Sequence, residues 1–441
     1  MNNYLVKNGL PKISSNILFP SLFIFIGLLG VFNHSLWRDE MQGWLVARHS
    51  QNFVDLWLNN APSGHPIIWS ALIFCVKGLT NTPLSMQLLQ WTLGSLSIIC
   101  FWKWNPFPVF QKILFTFGYF PFWEYFFISR HYVVVELLTI IFCSSFHLRR
   151  KSYIPASILI GLLVNTHAFA WSIAFAIGFS LLVEWIFSSF HRKIYKKNKY
   201  WILDLTISIL IIISFVGFAG FSLFQVRDSA SVNFLEFDLR HLLRTFGRVF
   251  GGYLLVVPNY KRWIDLAICA IIACLMLTIT VRFLKRSKIA SIFFLSGIGS
   301  LLTFNYFIYL GVGSRHYGYY FLIFIASIWI ALHPSENPKA IISNSLSLKR
   351  KGIELLFPLL LTLSLSVHFI AGIHRTTTDF FVPYSAAKAT AKYMDRQGLK
   401  DADIFATRDV DVSTITGYLN REFYYPELKG LGSYAKWRDR N

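Results

Sequence analysis

Pro66-Ile67-Ile68-Trp69-Ser70-Ala71-Leu72-Ile73-Phe74-Cys75-Val76-Lys77-Gly78-Leu79 is apolar, but short, and carries a lysine near its end. A helix needs roughly 20 residues to cross about 30 Å of hydrocarbon, so this run decides the topology of everything downstream. If it crosses, Arg149-Arg150-Lys151 and all later basic clusters fall outside, against the tendency of Lys and Arg to stay cytoplasmic. If it lies in the interface as a juxtamembrane helix, every cluster falls inside. The second reading is the one expected here.

On that parity, spans at 17–32, 109–127, 153–166, 200–224, 289–310 and 353–373 run outward. Those at 83–103, 131–148, 168–187, 264–281 and 317–332 run inward. The expected fold is an all-α polytopic membrane protein of about eleven transmembrane helices plus juxtamembrane helices. Its N-terminus is cytoplasmic and its C-terminus extracytoplasmic. Residues 1–373 form the membrane domain. At 374 the composition changes, and 374–441 reads as a small extracytoplasmic α/β tail: helix 385–397, strand 403–406, helix 412–419. Between spans, 239–257 is amphipathic, with Arg240, Arg244 and Arg248 on one face, and is expected to grip anionic lipid at the interface.

Composition agrees. Hydrophobic residues make up 54% of the 441 and charged residues 15%, while Phe occurs 43 times, too apolar for a soluble globule. The net charge of +20 does not imply nucleic acid, because the basic residues sit in short clusters between apolar runs, at 149–151, 192–199, 282–288 and 349–351. Lys7 and Lys12 precede the first run with no small-residue cleavage site after it, as in an uncleaved anchor. The five cysteines lie in apolar runs without metal-ligand spacing, so neither a disulfide framework nor a zinc site is expected.

The chemistry-bearing stretch is His34-Ser35-Leu36-Trp37-Arg38-Asp39-Glu40-Met41-Gln42-Gly43-Trp44, directly after the first span. Two carboxylates at the membrane edge cost free energy unless paired or wet, and one held beside a hydroxyl can act as general base. The same pair also fits a wet loop in which Arg38 neutralises an acid. Glu124 is a lone acid among aromatics on the second external loop; it either pairs with Arg130 or His131 or serves the site. Arg130-His131-Tyr132 and Arg315-His316-Tyr317 each head an inward span at its outer end. Arginines there suit a phosphate at headgroup depth, or snorkel to lipid. Glu136, a turn deeper, reads as a structural partner for Arg130 or His131. His65 opens the juxtamembrane run and is either a turn residue or a substrate contact.

An external Asp39-Glu40 loop followed by His65-Pro66 opening an apolar helix resembles the glycosyltransferase C superfamily, which includes protein O-mannosyltransferases and the lipid A aminoarabinose transferase. The Glu124-Tyr125 to Ser129-Arg130-His131-Tyr132 loop and Ser314-Arg315-His316-Tyr317-Gly318 resemble a bacterial subgroup of it. The similarity runs through residue 373, and the tail resembles a shortened version of that subgroup's external appendage. The resemblance implies a plasma (inner) membrane enzyme that moves a sugar from a polyprenyl-phosphate donor to a cell-envelope acceptor (glycan, lipid or protein) with inversion. Asp39 would be the base and Glu40 its support. Glu124 stands where the family keeps an acid, more often aspartate. Arg38, His65, Arg130, His131, Arg315 and His316 would bind substrate. Members differ in whether a divalent cation bridges the acids, and the residues leave both open.

Two other classes compete. A flippase or transporter of lipid-linked sugars would want ionisable or broken helices near the midplane and repeat symmetry. A polysaccharide polymerase or ligase would not need an Asp-Glu pair directly after its first span.

Overall fold

The computed structural model describes residues 14–224, 237–308, 313–333 and 353–435. The expected signals at Lys7, Lys12 and Lys349-Arg350-Lys351 lie outside them. In chain order the helices begin α1 (Ser15–Asn33), α2 (Arg38–His49), α3 (Phe53–Asn60), α4 (Ile68–Val76), α5 (Leu84–Trp104) and α6 (Val109–Thr116). They continue α7 (Tyr132–Ser145), α8 (Ile154–Val164), α9 (Ala170–Phe187), α10 (Ser189–Tyr195), α11 (Trp201–Phe224) and α12 (Leu239–Leu254). The last six are α13 (Trp263–Leu284), α14 (Lys288–Phe307), α15 (Ser314–Leu332), α16 (Ile353–Phe381), α17 (Ala387–Arg396) and α18 (Asp409–Leu419). Among the described residues eight helices are long and apolar enough to cross a membrane: α1, α5, α7 with its extension to Arg150, α9, α11, α13, α14 and α16. The chain is an all-α polytopic membrane protein.

Three expected spans take other forms. Segment 109–127 breaks after α6, turns at Gly118 and continues as one turn of π-helix, Tyr119–Glu124. Pro121 lies inside that turn and offers no N–H to an α ladder. Gly372 of α16 packs against the backbone of Phe117, Gly118 and Tyr119, so the break is held by a close helix approach. α8 has only 11 residues. Its last turn closes on Asn165, whose side-chain amide donates to the carbonyls of Gly161 and Phe215. α15 is long enough, but every residue from His316 to Ala331 is buried in protein. Its tyrosines explain why: Tyr320 Oη accepts from Asn305 at 2.7 Å, and Tyr319 Oη lies 2.9 Å from His167 Nδ1, partners that lipid does not offer.

The deciding run is α4, with 9 residues. The Ile68 N–H donates to the Asn165 carbonyl, and Lys77 Nζ donates to Ala47 and Ser50 at the end of α2. Gln87, near the start of α5, bonds the Val31 carbonyl near the end of α1. α4 thus enters and leaves at one end of the bundle. The basic stretches 149–151, 192–199 and 282–288 lie at the opposite end, where Arg149 pairs with Glu184 at 2.9 Å.

Aromatic knobs lock the first helices together. Phe126 fills the notches left by Gly27 of α1 and Gly94 of α5, and Phe127 fills that of Gly30. Phe23 stacks on Phe126 with centroids 4.2 Å apart. Valine at Gly94 must displace the Phe126 ring, so Gly94→Val is expected to lower stability by about 1–3 kcal/mol in detergent unfolding. Gly299→Val, where a side chain meets open space, leaves stability near wild type.

α12 departs from its expected place on the membrane surface. It is wedged among α13, α14, α15 and α16. Gly251 and Gly252 lie against Tyr317 and Tyr320, and Arg248 is buried with Nη1 donating to the Asn305 carbonyl at 3.1 Å. The glycines at one tip are what let an arginine-bearing helix pack this closely.

In the tail, α17 and α18 form near their expected positions, while the expected strand 403–406 contributes a single bridge, Phe405 to Tyr424. β1 (Phe423–Tyr425) and β2 (Gly430–Gly432) pair antiparallel. Ala391, Ala406, Leu419, Phe423 and Tyr425 form a small core too meagre to hold alone. α18 docks on α2 instead: Met41 packs over Gly417, Leu36 N–H donates to Tyr418 Oη at 2.7 Å, and Gln42 exchanges two bonds with Ala435.

Candidate functional site

The site grows from the first turn of α2. Glu40 is its third residue, and the side chain curls back to accept the Trp37 N–H at 3.1 Å, as an acid at that position of a helix start does. Helical geometry then turns the neighbouring carboxylates apart. Glu40 is fully buried, while Asp39 keeps 17% of its side chain exposed. Glu40 Oε1 accepts the Ser129 N–H at 2.6 Å, which ties α2 to the loop before α7.

Behind Glu40 stands His34. Nε2 lies 3.1 Å from Glu40 Oε2, and Nδ1 lies 2.8 Å from Asp379 Oδ2 near the end of α16. Both nitrogens face acceptors, so both must carry protons. Burial opposes the charge, but Glu40 and Asp379 outweigh it and raise the imidazole to about 10. The buried ion triad thus joins the ends of α1, α2 and α16.

Three guanidinium groups surround Asp39. Arg315 Nη2 lies 2.9 Å from Oδ2, Arg130 Nη1 3.4 Å from Oδ2, and Arg38 Nε 3.1 Å from Oδ1. Arg130 Nη1 also donates to the Asp39 carbonyl at 2.9 Å. Burial disfavours the carboxylate, but Arg130, Arg315 and Arg38 together hold it below its ordinary value. Arg315 lies 5.3 Å above the Trp37 ring, and its backbone carbonyl accepts from Tyr125 Oη at 3.0 Å.

Glu124 is buried beside this group. Its Oε2 accepts from Tyr119 Oη at 2.7 Å, and it interacts electrostatically with Arg315 and Arg375. Arg315 therefore feels Asp39 and Glu124 together. The expected pairing of Glu124 with Arg130 or His131 is not made. Glu136 is buried, and among the described residues it makes no ion pair and its Oε1 has no hydrogen-bond partner.

The remaining expected residues gather in an aromatic stack. The ring centroid of His131 lies 4.1 Å from that of His167, and the His65 centroid lies 5.4 Å from His131 and 5.5 Å from His167. His316 stacks at 5.8 Å on the far side of His167, with Nδ1 accepting the Gly313 N–H and Nε2 3.3 Å from Tyr132 Oη. Burial, with Arg130 next, pushes His65 down to about 3, a neutral ring. The sequence reading missed His34, Asp379 and His167. His34 stood in the quoted stretch, and Asp379 carried the signal of an acid near the end of a long apolar helix. His167 marked only a turn between two spans.

The donor set around Asp39 does not fit a divalent cation, because guanidinium groups occupy both carboxylate oxygens. Among the described residues no group of three or more His, Cys, Asp or Glu side chains is arranged to hold a metal.

Gly318 seats the Tyr125 hydroxyl where a Cβ would stand. Gly318→Ala must push Tyr125 off the Arg315 carbonyl. The expected result is a fall in stability of about 1–3 kcal/mol in detergent unfolding, as at Gly94, together with a shift of Arg315 away from Asp39. Comparison with known protein families, with curated proteins and with solved structures gives no match to this chain.

Proposed function

We propose that the protein is a glycosyltransferase that moves a sugar from a polyprenyl-phosphate donor to an extracytoplasmic acceptor of the cell envelope. The observation that carries this reading is the meeting of Asp39 with Arg130 and Arg315, brought from distant parts of the chain to one end of the bundle. That end is opposite the basic stretches, so with those in the cytoplasm the site opens outside. The same sidedness supports eleven crossings, counting the broken 109–127 segment, α8 and the protein-sheathed α15. On this reading the tail, docked against α2, lies outside the membrane.

In this reading a hydroxyl of the acceptor attacks the anomeric carbon from the face opposite the phosphate. Asp39 takes the hydroxyl proton, and the carbon–oxygen bond to phosphate breaks with its electron pair. The leaving lipid phosphate gains negative charge, and Arg130 and Arg315 supply positive charge that matters most at that moment. Glu40 and His34 touch no reactant; they set where Asp39 points. No nucleotide-binding loop is required, since the donor is a lipid. Mass spectra of envelope glycans from cells with and without the protein test the reading. The expected result is loss of one sugar decoration; identical spectra contradict it.

A further inference from the structure

Asp39 is asked to be a base while three guanidinium groups suppress its basicity, and the way out lies in the charge count. Arg38, Arg130 and Arg315 face Asp39, and Arg315 and Arg375 face Glu124; with the adjoining His34 imidazolium, five cations stand against the carboxylates of Asp39, Glu124, Glu40 and Asp379. The group is over-supplied with positive charge for its own needs. Arg130 and Arg315 are also substantially buried, with side chains 9% and 26% exposed, so their charge is poorly screened by water. The sequence neighbours of Arg130 carry buried polar atoms, Ser129 Oγ and His131 Nε2, that have no hydrogen-bond partner among the described residues. Such atoms cost free energy unless a ligand or water meets them.

We infer that Asp39 is an internal stand-in for phosphate: it occupies Arg130 and Arg315 until the phosphate of the donor displaces it and takes both guanidinium groups. This rests on the donor reading above and adds a coupling to it. The anion that recruits the arginines also releases the carboxylate, so the base becomes strong only when a donor is bound. Once Asp39 has taken the acceptor's proton it is neutral and no longer competes. The guanidinium groups then stay with the leaving phosphate, whose charge has grown.

Competition makes a prediction opposite to that of a residue that merely lines the site. The full chain in nanodiscs of zwitterionic lipid is titrated with farnesyl phosphate and, separately, inorganic phosphate. Binding is followed by tryptophan fluorescence, with Trp37 beneath Arg315. Asp39→Asn and Asp39→Ser are both expected to bind farnesyl phosphate about tenfold more tightly than wild type, since removing a competing charge frees a charge-assisted contact. Adding Arg315→Gln should abolish the gain. Equal or weaker binding by both uncharged variants overturns the exchange. Tightening seen only with inorganic phosphate, and no binding of farnesyl phosphate, keeps the exchange and overturns the lipid donor. Tightening together with undiminished sugar transfer by Asp39→Asn keeps the exchange and overturns the base.

Discussion

Asp39→Asn is expected to lower sugar transfer by a factor of about 10²–10⁴, the usual worth of a positioned general base. The assay is membranes supplied with lipid-linked donor, with the amount of folded protein measured in parallel. The substitution keeps the side chain's size, and an amide oxygen still accepts from Arg315. What it removes is the ability to take a proton. Because the variant is also expected to hold phosphate more tightly, its loss should fall on turnover and leave donor saturation no worse. A variant of undiminished activity takes Asp39 out of the chemistry.

His34→Leu is expected to be the most damaging change to the fold itself. Glu40 and Asp379 are 0% and 4% exposed, and the imidazolium between them is what makes two buried carboxylates tolerable. Removing one partner of a buried ion pair costs about 3–5 kcal/mol, which should appear as a large fall in unfolding temperature in detergent. The sign of the pH dependence follows from His34. Its ordinary value of 6.5 applies to the unfolded chain and about 10 to the folded one, so its contribution is full below 6.5 and is lost as pH rises through 10. Wild type should therefore lose stability between pH 7 and 10, and His34→Leu should lose less over that interval. Equal stability of the two proteins at pH 7, with equal slopes, contradicts the triad. Glu40 also accepts the Ser129 N–H, so the same variant should loosen Arg130 from Asp39.

Much of this was open to reading in the chain because the bilayer makes length and charge decisive. The short run with Lys77 had to avoid crossing, and α4 has 9 residues with both ends on one side. Eight of the eleven expected spans became long apolar helices. What the sequence hid was set by tertiary contact. Segment 109–127 is apolar apart from Gln111, Lys112, Thr116 and Glu124, so only Gly118 and Pro121 hinted at the break, and the close approach of Gly372 is a pairing between distant residues. The Arg240, Arg244, Arg248 face looked like a lipid-gripping surface. Only Arg248 of the three is buried, and Gly251 and Gly252, which let the helix pack closely, say nothing until their partners Tyr317 and Tyr320 are known.

The site divides the same way. Two adjacent acids beside an arginine announced a working edge, yet only the helix phase tells which faces the arginines. Asp39 does, with Arg130 and Arg315 within ion-pair reach, while Glu40 turns inward to Ser129 and His34. The two Arg-His-Tyr motifs converge because α7 and α15 pack side by side with their starts at one end. His167 entered the histidine stack by folding alone, from the turn between α8 and α9.

The central claim is that a glycosidic bond to lipid phosphate breaks at this site. Its most direct test is to follow the donor lipid in sealed vesicles carrying the purified full chain and a lipid extract from cells that produce it. Free polyprenyl phosphate is expected to accumulate in step with sugar gained by the acceptor, and both should stop with Asp39→Asn. Lipid-linked sugar that reaches the other leaflet intact, with no polyprenyl phosphate released, would contradict it.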